Sequence, residues 1–429
     1  MRIEDNQDAD FLRLKSIFKK IGWGIVVLFS LFLPFQFPIL RGLKLPPRFL
    51  WLDEIFVMFA FVMFYFVLFS RGKINKSAAK IIFSMLILMS LGIISGLFNA
   101  NSIIVTINGI FDYIKNFLVI PVFCAFAIEQ GKARSIYRKL HRLALFLCMV
   151  AIAQEIMFVL GYPTDKLGVY FFDVRFGIMR TPSLMGHPNI FGLYVLLFFI
   201  LDYANYKRIR WQNILFAIGI FLSVSRMVWI SFVIGIFYLS IQGKSKKMLL
   251  LFALATIVVS LAIPSFYLHT TREMDPEKYF RGYTLMKSLE IWKDHPVLGI
   301  GPGMYGGVVS FVYNSPVYEH YNYSPRWYDY MVIIRSLDQF WTQVLAEVGM
   351  AGFMAFAVML LILLMIARKE SLNAARDSFR GKMHLGFSTV PIILALYLFG
   401  SGLNLTPFIL TYGILFGSVL GMKDEGITR

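Results

Sequence analysis

Apolar stretches long enough to cross a bilayer follow one another along nearly the whole chain, separated by short polar loops. Windows such as Ile81 to Asn99, Met248 to Phe266 and Leu385 to Leu403 hold about 18 or more residues almost free of charge, as a membrane-spanning helix requires. The pattern predicts about twelve spans, at 22–40, 50–70, 81–98, 103–128, 144–162, 184–203, 212–224, 227–242, 248–266, 345–367, 385–403 and 405–422. Backbone groups in lipid must be satisfied within helices. The expected fold class is therefore all-α, a polytopic integral membrane protein forming a single membrane domain over 1–429.

Composition agrees, since 58% hydrophobic and 16% charged residues do not make a soluble protein. Charge then sets the orientation. With a cytoplasmic N-terminus, the inside segments hold 27 of the 42 Lys/Arg and the outside segments 14, with Lys115 inside a span. The excess lies in short loops, where the positive-inside rule has force, so both termini are expected in the cytoplasm. The net charge of +17 reads as juxtamembrane Lys/Arg facing an anionic bilayer rather than as a nucleic-acid surface, because no basic soluble domain is present. The first 21 residues are polar and the first apolar stretch lacks a small-residue cleavage site, so a retained span is expected in place of a signal peptide. Cys124 and Cys148 fall inside spans and read as packing residues; neither a metal site nor a disulfide framework is suggested.

One loop breaks the pattern. Residues 269–343, between the ninth and tenth spans, form a long extracytoplasmic segment rich in Tyr, Trp, Pro, Gly and charge. Loops of that length are more often functional than connective. Tyr279 to Asp294 has helical spacing and stops at His295-Pro296, and a further helix is expected to resume near Leu337. The run Gly301 to Gly306 matches G-x-G-x-x-G, but it lacks the strand and helix of a βαβ unit and contains Pro302, so a tight turn is expected. Six tyrosines and Trp327 crowd Tyr313 to Tyr330. They suit either an interfacial aromatic belt or a surface on which sugar rings stack.

Arginines outside the membrane run against the positive-inside bias. Arg180 precedes span 6, Arg226 follows Ser225 between two short spans, and Arg281 opens the loop helix beside Tyr283. Each alone fits interfacial snorkelling. Several on one face, beside an aromatic loop, fit an anion site, because a guanidinium is a planar fork suited to phosphate oxygens. At that depth a lipid-linked pyrophosphate is the obvious anionic ligand. Asp338 and Glu347 stand nine residues apart at the loop's exit, on roughly one helix face. A carboxylate there can take a proton from a sugar hydroxyl; the plainer roles are an N-cap for Asp338 and a buttress for Glu347. His187 and Asn189 begin span 6, the His reading as structural. Lys115 is explained by an i, i+3 ion pair with Asp112.

Taken in order, Pro182 to Gly192 (PSLMGHPNIFG), Ser225-Arg226, Arg281-Gly282-Tyr283 with Trp292 and His295 to Gly303 (HPVLGIGPG), then Asp338-Gln339-Phe340-Trp341 with Leu345 to Gly352 (LAEVGMAG), resemble the O-antigen ligase/O-antigen polymerase superfamily of bacterial membrane glycosyltransferases. The resemblance covers about residues 180–360. It implies enzymes of the bacterial cytoplasmic membrane acting at its outer face on undecaprenyl-pyrophosphate-linked glycans, with no metal and no cofactor. Arg226 and Arg281 would contact the pyrophosphate, as catalytic residues together with Asp338. Arg180, His187, Asn189, Tyr283 and Glu347 would serve substrate binding. Where ligases of the superfamily carry His, nine residues before the glutamate, this chain has Asp338. That departure favours a polysaccharide polymerase over a ligase, with a chain-length regulator protein as a partner. Transport is the rival class. Against it, the spans hold little charge beyond Asp53, Glu54, Asp112, Lys115 and Glu155, and no two-fold repeat is visible.

Overall fold

The computed structural model describes residues 32, 55–59, 62, 74–126, 130–162, 173–175, 177–243, 279–334, 337, 339–375, 378–399 and 405–422. The predicted span at 248–266, all of 22–40 but residue 32, and most of 50–70 lie outside the described residues. What is described is mostly helical. The membrane part comprises α1 Lys76–Phe98, α2 Ile103–Ile114, α3 Val119–Ala125, α4 Gln130–Val159, α5 Pro188–Tyr206, α6 Trp211–Leu222 and α7 Arg226–Gly243. After the large loop come α12 Phe340–Asn373, α13 Phe379–Phe387, α14 Val390–Tyr397 and α15 Thr406–Leu420. The loop holds α8 Phe280–Asp294, α9 Val308–Val312, α10 Val317–His320 and α11 Pro325–Ile334. A hairpin of β1 Val174–Arg175 and β2 Ile178–Met179 precedes α5, pairing antiparallel with Val174 opposite Met179.

Four of these helices, α1, α4, α5 and α12, are long and apolar enough to cross a membrane. The pair α2 and α3 adds a fifth as one span bent by 63°. The helices α6, α7 and α15 are apolar but shorter. Among the described residues the expected count of about twelve is not confirmed, and where described helices depart from the expected spans the causes are physical. The stretch 103–128 bends at the Lys115 turn, where Lys115 Nζ pairs with Asp112 Oδ1 at 3.0 Å. α4 starts well before its apolar part, because Lys and Arg are good helix formers and simply extend the helix beyond the lipid-facing segment. The stretch 385–403 divides into α13 and α14.

The core runs through α5 and α15. Every residue of α15 from Pro407 to Leu420 is buried. The helix packs on α3 through a small-residue face, and a side chain at Gly417 would collide with the carbonyl of Ile120. By contrast α1 turns Phe83, Leu86, Ile87, Ile94 and Leu97 outward and buries Ile81, Met85, Leu88 and Ser95, as a peripheral helix facing lipid does. One buried carboxylate was not counted among the charges of the spans: Asp202 of α5 accepts from His141 Nε2 at 3.1 Å and pairs with Arg210 Nη1 at 3.5 Å.

Candidate active site

The loop and the bundle are joined at a break in α12. Gly349 interrupts that helix with φ 62° and ψ −164°, a conformation essentially reserved for glycine. A helix break orphans carbonyls before it and amides after it, and the segment after α8 satisfies both sets. Ile300 N donates to Ala346 O at 3.0 Å and Gly301 N to Glu347 O at 2.7 Å. In return Met350 N donates to Pro296 O at 3.0 Å and Ala351 N to Val297 O at 3.1 Å. The other side of the segment is clamped by the end of α1 and the turn after it: Asn99 Nδ2 donates to Gly299 O at 2.9 Å and Asn101 Nδ2 to Ile300 O at 2.7 Å. The glycine run is therefore a turn wedged between helices, as its sequence context suggests.

Glu347 lies at the centre of this joint and is fully buried. Its Oε2 accepts from the hydroxyl of Tyr113 on α2, and its Oε1 accepts from Tyr305 N at 2.7 Å. Next along the chain, Gly306 O accepts from Leu337 N at 2.8 Å, and Gly306 N donates to the Tyr318 hydroxyl at 2.8 Å. The carboxylate thus holds the turn that holds the residue before Asp338. Asp338 itself lies outside the described residues; the N-cap position expected for it is taken by Gln339, which makes no side-chain cap bond, and α12 begins at Phe340.

The tyrosine cluster is neither a belt nor an open stacking surface. Tyr318, Tyr321, Tyr323 and Trp327 are buried with Tyr283 and Tyr305 in a second core that also takes in Val105 and Ala346. The Tyr305 and Tyr323 hydroxyls lie 2.6 Å apart, and Tyr283 Oη accepts from Ser324 N at 2.6 Å. Burial, then the hydrogen bond to Asp294, pushes the Tyr321 hydroxyl up to about 12. Only Tyr313 and Tyr330 of the six are well exposed. Arg281, half-buried, opens α8 beside this core.

A second cluster stands where α5 begins. His187 caps the helix, its Nδ1 accepting from Asn189 N at 3.2 Å. Arg180 is buried. Its Nη1 donates to Asp173 Oδ2 at 3.0 Å and its Nη2 to Asn189 Oδ1 at 3.0 Å. Burial and the nearby Arg175 guanidinium lower the Arg180 pKa, and Asp173 works against them. Thr181 N donates to Leu222 O at 3.0 Å, tying this loop to the turn that carries Ser225 and half-buried Arg226. Tyr397, at the end of α14, interacts electrostatically with Arg180. One turn earlier, Ala395 O accepts from Trp341 Nε1 at 2.9 Å at the start of α12.

Arg180, Asn189, His187 and the Arg226 turn are therefore gathered at the end of the bundle where α12 starts and the loop core sits. Glu347 and Tyr283 belong to the joint and the core of that loop layer. Asp173, Arg175, Tyr113, Tyr305 and Tyr397 were not expected at the site. Only the unusual position of Arg175 on the basic-poor side could have drawn attention to it.

Residues 211–357 match the family model described as O-antigen ligase. The match supports a relation of this segment to the O-antigen ligase/polymerase superfamily. It runs from the start of α6 into α12 and so contains Arg226, Arg281, Tyr283, Asp338 and Glu347, while Arg180, His187 and Asn189 precede it. No curated protein matches the chain. The match and the apolar helices together support a membrane protein of polysaccharide biosynthesis.

Proposed function

We propose that the protein is a polysaccharide polymerase of the bacterial cytoplasmic membrane, with its site at the outer face. It would move a growing glycan from undecaprenyl pyrophosphate onto a lipid-linked repeat unit of an O-antigen, capsule or exopolysaccharide. In the transfer, the acceptor hydroxyl oxygen bonds to the anomeric carbon of the donor sugar. The bond from that carbon to the pyrophosphate oxygen breaks, and the lipid pyrophosphate leaves with the electron pair. Arg226 and Arg281 neutralise the charge that develops on the leaving group. Asp338 takes the hydroxyl proton. No metal and no cofactor enter this scheme.

The observation that carries the reading is the gathering of cationic side chains at one end of an otherwise apolar bundle, at the joint with the loop layer, within or next to the segment that matches the ligase family. The choice of polymerase over ligase, which would deliver glycan to lipid A core or a protein, rests on Asp338 standing where the resemblance leads one to expect a ligase histidine. Deleting the gene and running the surface glycan on a gel tests the choice. A ladder reduced to a single repeat unit supports the polymerase. Loss of all attached glycan would replace it with the ligase, and an unchanged ladder would exclude both.

A further inference from the structure

We propose that Arg175, at the end of β1, is a further anion-contacting residue of the site, and that Arg180 is the residue that holds its hairpin in place. This deepens the reading of this end of the bundle as a pyrophosphate site and rests on it. The two arginines share one carboxylate. Asp173 Oδ2 accepts from Arg175 Nε at 3.1 Å and from Arg180 Nη1 at 3.0 Å, so the trio keeps a net positive charge. Their circumstances differ in what is left over. The Arg180 side chain is 8% exposed and has both Nη atoms committed, to Asp173 and to Asn189, while its own amide donates to Asp173 O at 2.8 Å. That pattern fixes hairpin, carboxylate and helix start to one another. The Arg175 side chain is 27% exposed and uses only Nε. Among the described residues neither of its Nη atoms has a partner, so half of the guanidinium is presented to a ligand already oriented by the carboxylate on its other edge.

Presentation of this kind suits a phosphate oxygen. Two outward N–H groups in a plane can grip two oxygens, and anchoring Nε lowers the entropy lost on binding. The hairpin is held against the Arg226 turn through Thr181 and Leu222. Arg175 therefore stands at the same end of the bundle as Arg226.

The test uses the purified full chain in detergent, with inorganic pyrophosphate as probe, and reads both affinity and thermal unfolding. Arg175→Ala should weaken pyrophosphate binding by about tenfold, the scale of one lost hydrogen bond to a charged group, with the melting temperature unchanged. Arg175→Lys should recover part of the affinity. Arg180→Ala should instead lower the melting temperature. In a turnover assay with lipid-linked repeat units, Arg175→Ala should raise KM for the donor more than it lowers kcat. If binding is lost in Arg226→Ala but is unaffected in Arg175→Ala, the proposal fails while the pyrophosphate reading stands. A wild-type chain that binds no pyrophosphate overturns both, and a melting temperature that falls as far in Arg175→Ala as in Arg180→Ala reduces Arg175 to a structural residue.

Discussion

At the scale of single residues, the clearest divide is between side chains with all their bonding capacity spent inside the protein and those without. Glu347 belongs to the first kind. Truncation to Ala leaves the Tyr113 hydroxyl and the Tyr305 amide buried without an acceptor, at a cost of about 1–3 kcal/mol each. Glu347→Ala should therefore unfold well below the wild type in a detergent melt, with Glu347→Gln between them because its carbonyl oxygen still serves one donor. An Ala variant as stable as the wild type would refute the buttress. The buttress role was readable from the sequence as one alternative, but its partners were not: Tyr113 lies 234 residues away. For Arg226 and Arg281 the expected effect falls on the reaction rather than on the fold. Each Ala variant should cripple transfer with normal protein levels, and Lys should rescue only in part, since a point charge replaces a fork. Asp338→Asn keeps size while removing basicity. A loss of roughly 10²-fold or more on the glycan ladder is expected for a general base, and a wild-type ladder would remove Asp338 from the reaction.

At the scale of elements, the sequence was most legible where local chemistry decides. The loop helix was expected over Tyr279 to Asp294 and is found at Phe280–Asp294, ended by His295-Pro296 as proline requires. The break in α12 was not legible, because LAEVGMAG reads as continuous helix and the turn segment that permits the break, 296–301, is distant in sequence. That segment makes the break a defined joint. A side chain at Gly349 would strike the carbonyl of Val297 and would be strained at this φ, typically by 1–3 kcal/mol. Gly349→Ala should accordingly destabilise the protein and shorten or abolish the glycan ladder together, because the joint positions Leu337 beside Asp338. If Gly349→Ala lost stability but kept a full ladder, the joint would be structural only.

For the whole molecule, orientation ties the site to its chemistry. The starts of α5, α7 and α12 and the end of α14 meet at one end of the bundle through the bonds of Thr181 and Trp341, and the loop layer sits at that end. Whichever side of the membrane receives this end also receives the described candidate residues. We expect that side to be the outer one, since 27 of 42 Lys/Arg fall in the segments expected inside. Charge asymmetry of this size in short loops is what sets topology, and a polymerase of lipid-linked units delivered to the outer leaflet needs its arginines there. A reporter fused after Tyr305 should therefore be active only outside the cytoplasm. Fusions at Lys246 and Arg376, which lie outside the described residues, should report the cytoplasm. Inward labelling at Tyr305 would place the arginines on the side where inward-facing Lys/Arg need no explanation, and would take away both the topology and the reason for reading them as a pyrophosphate site.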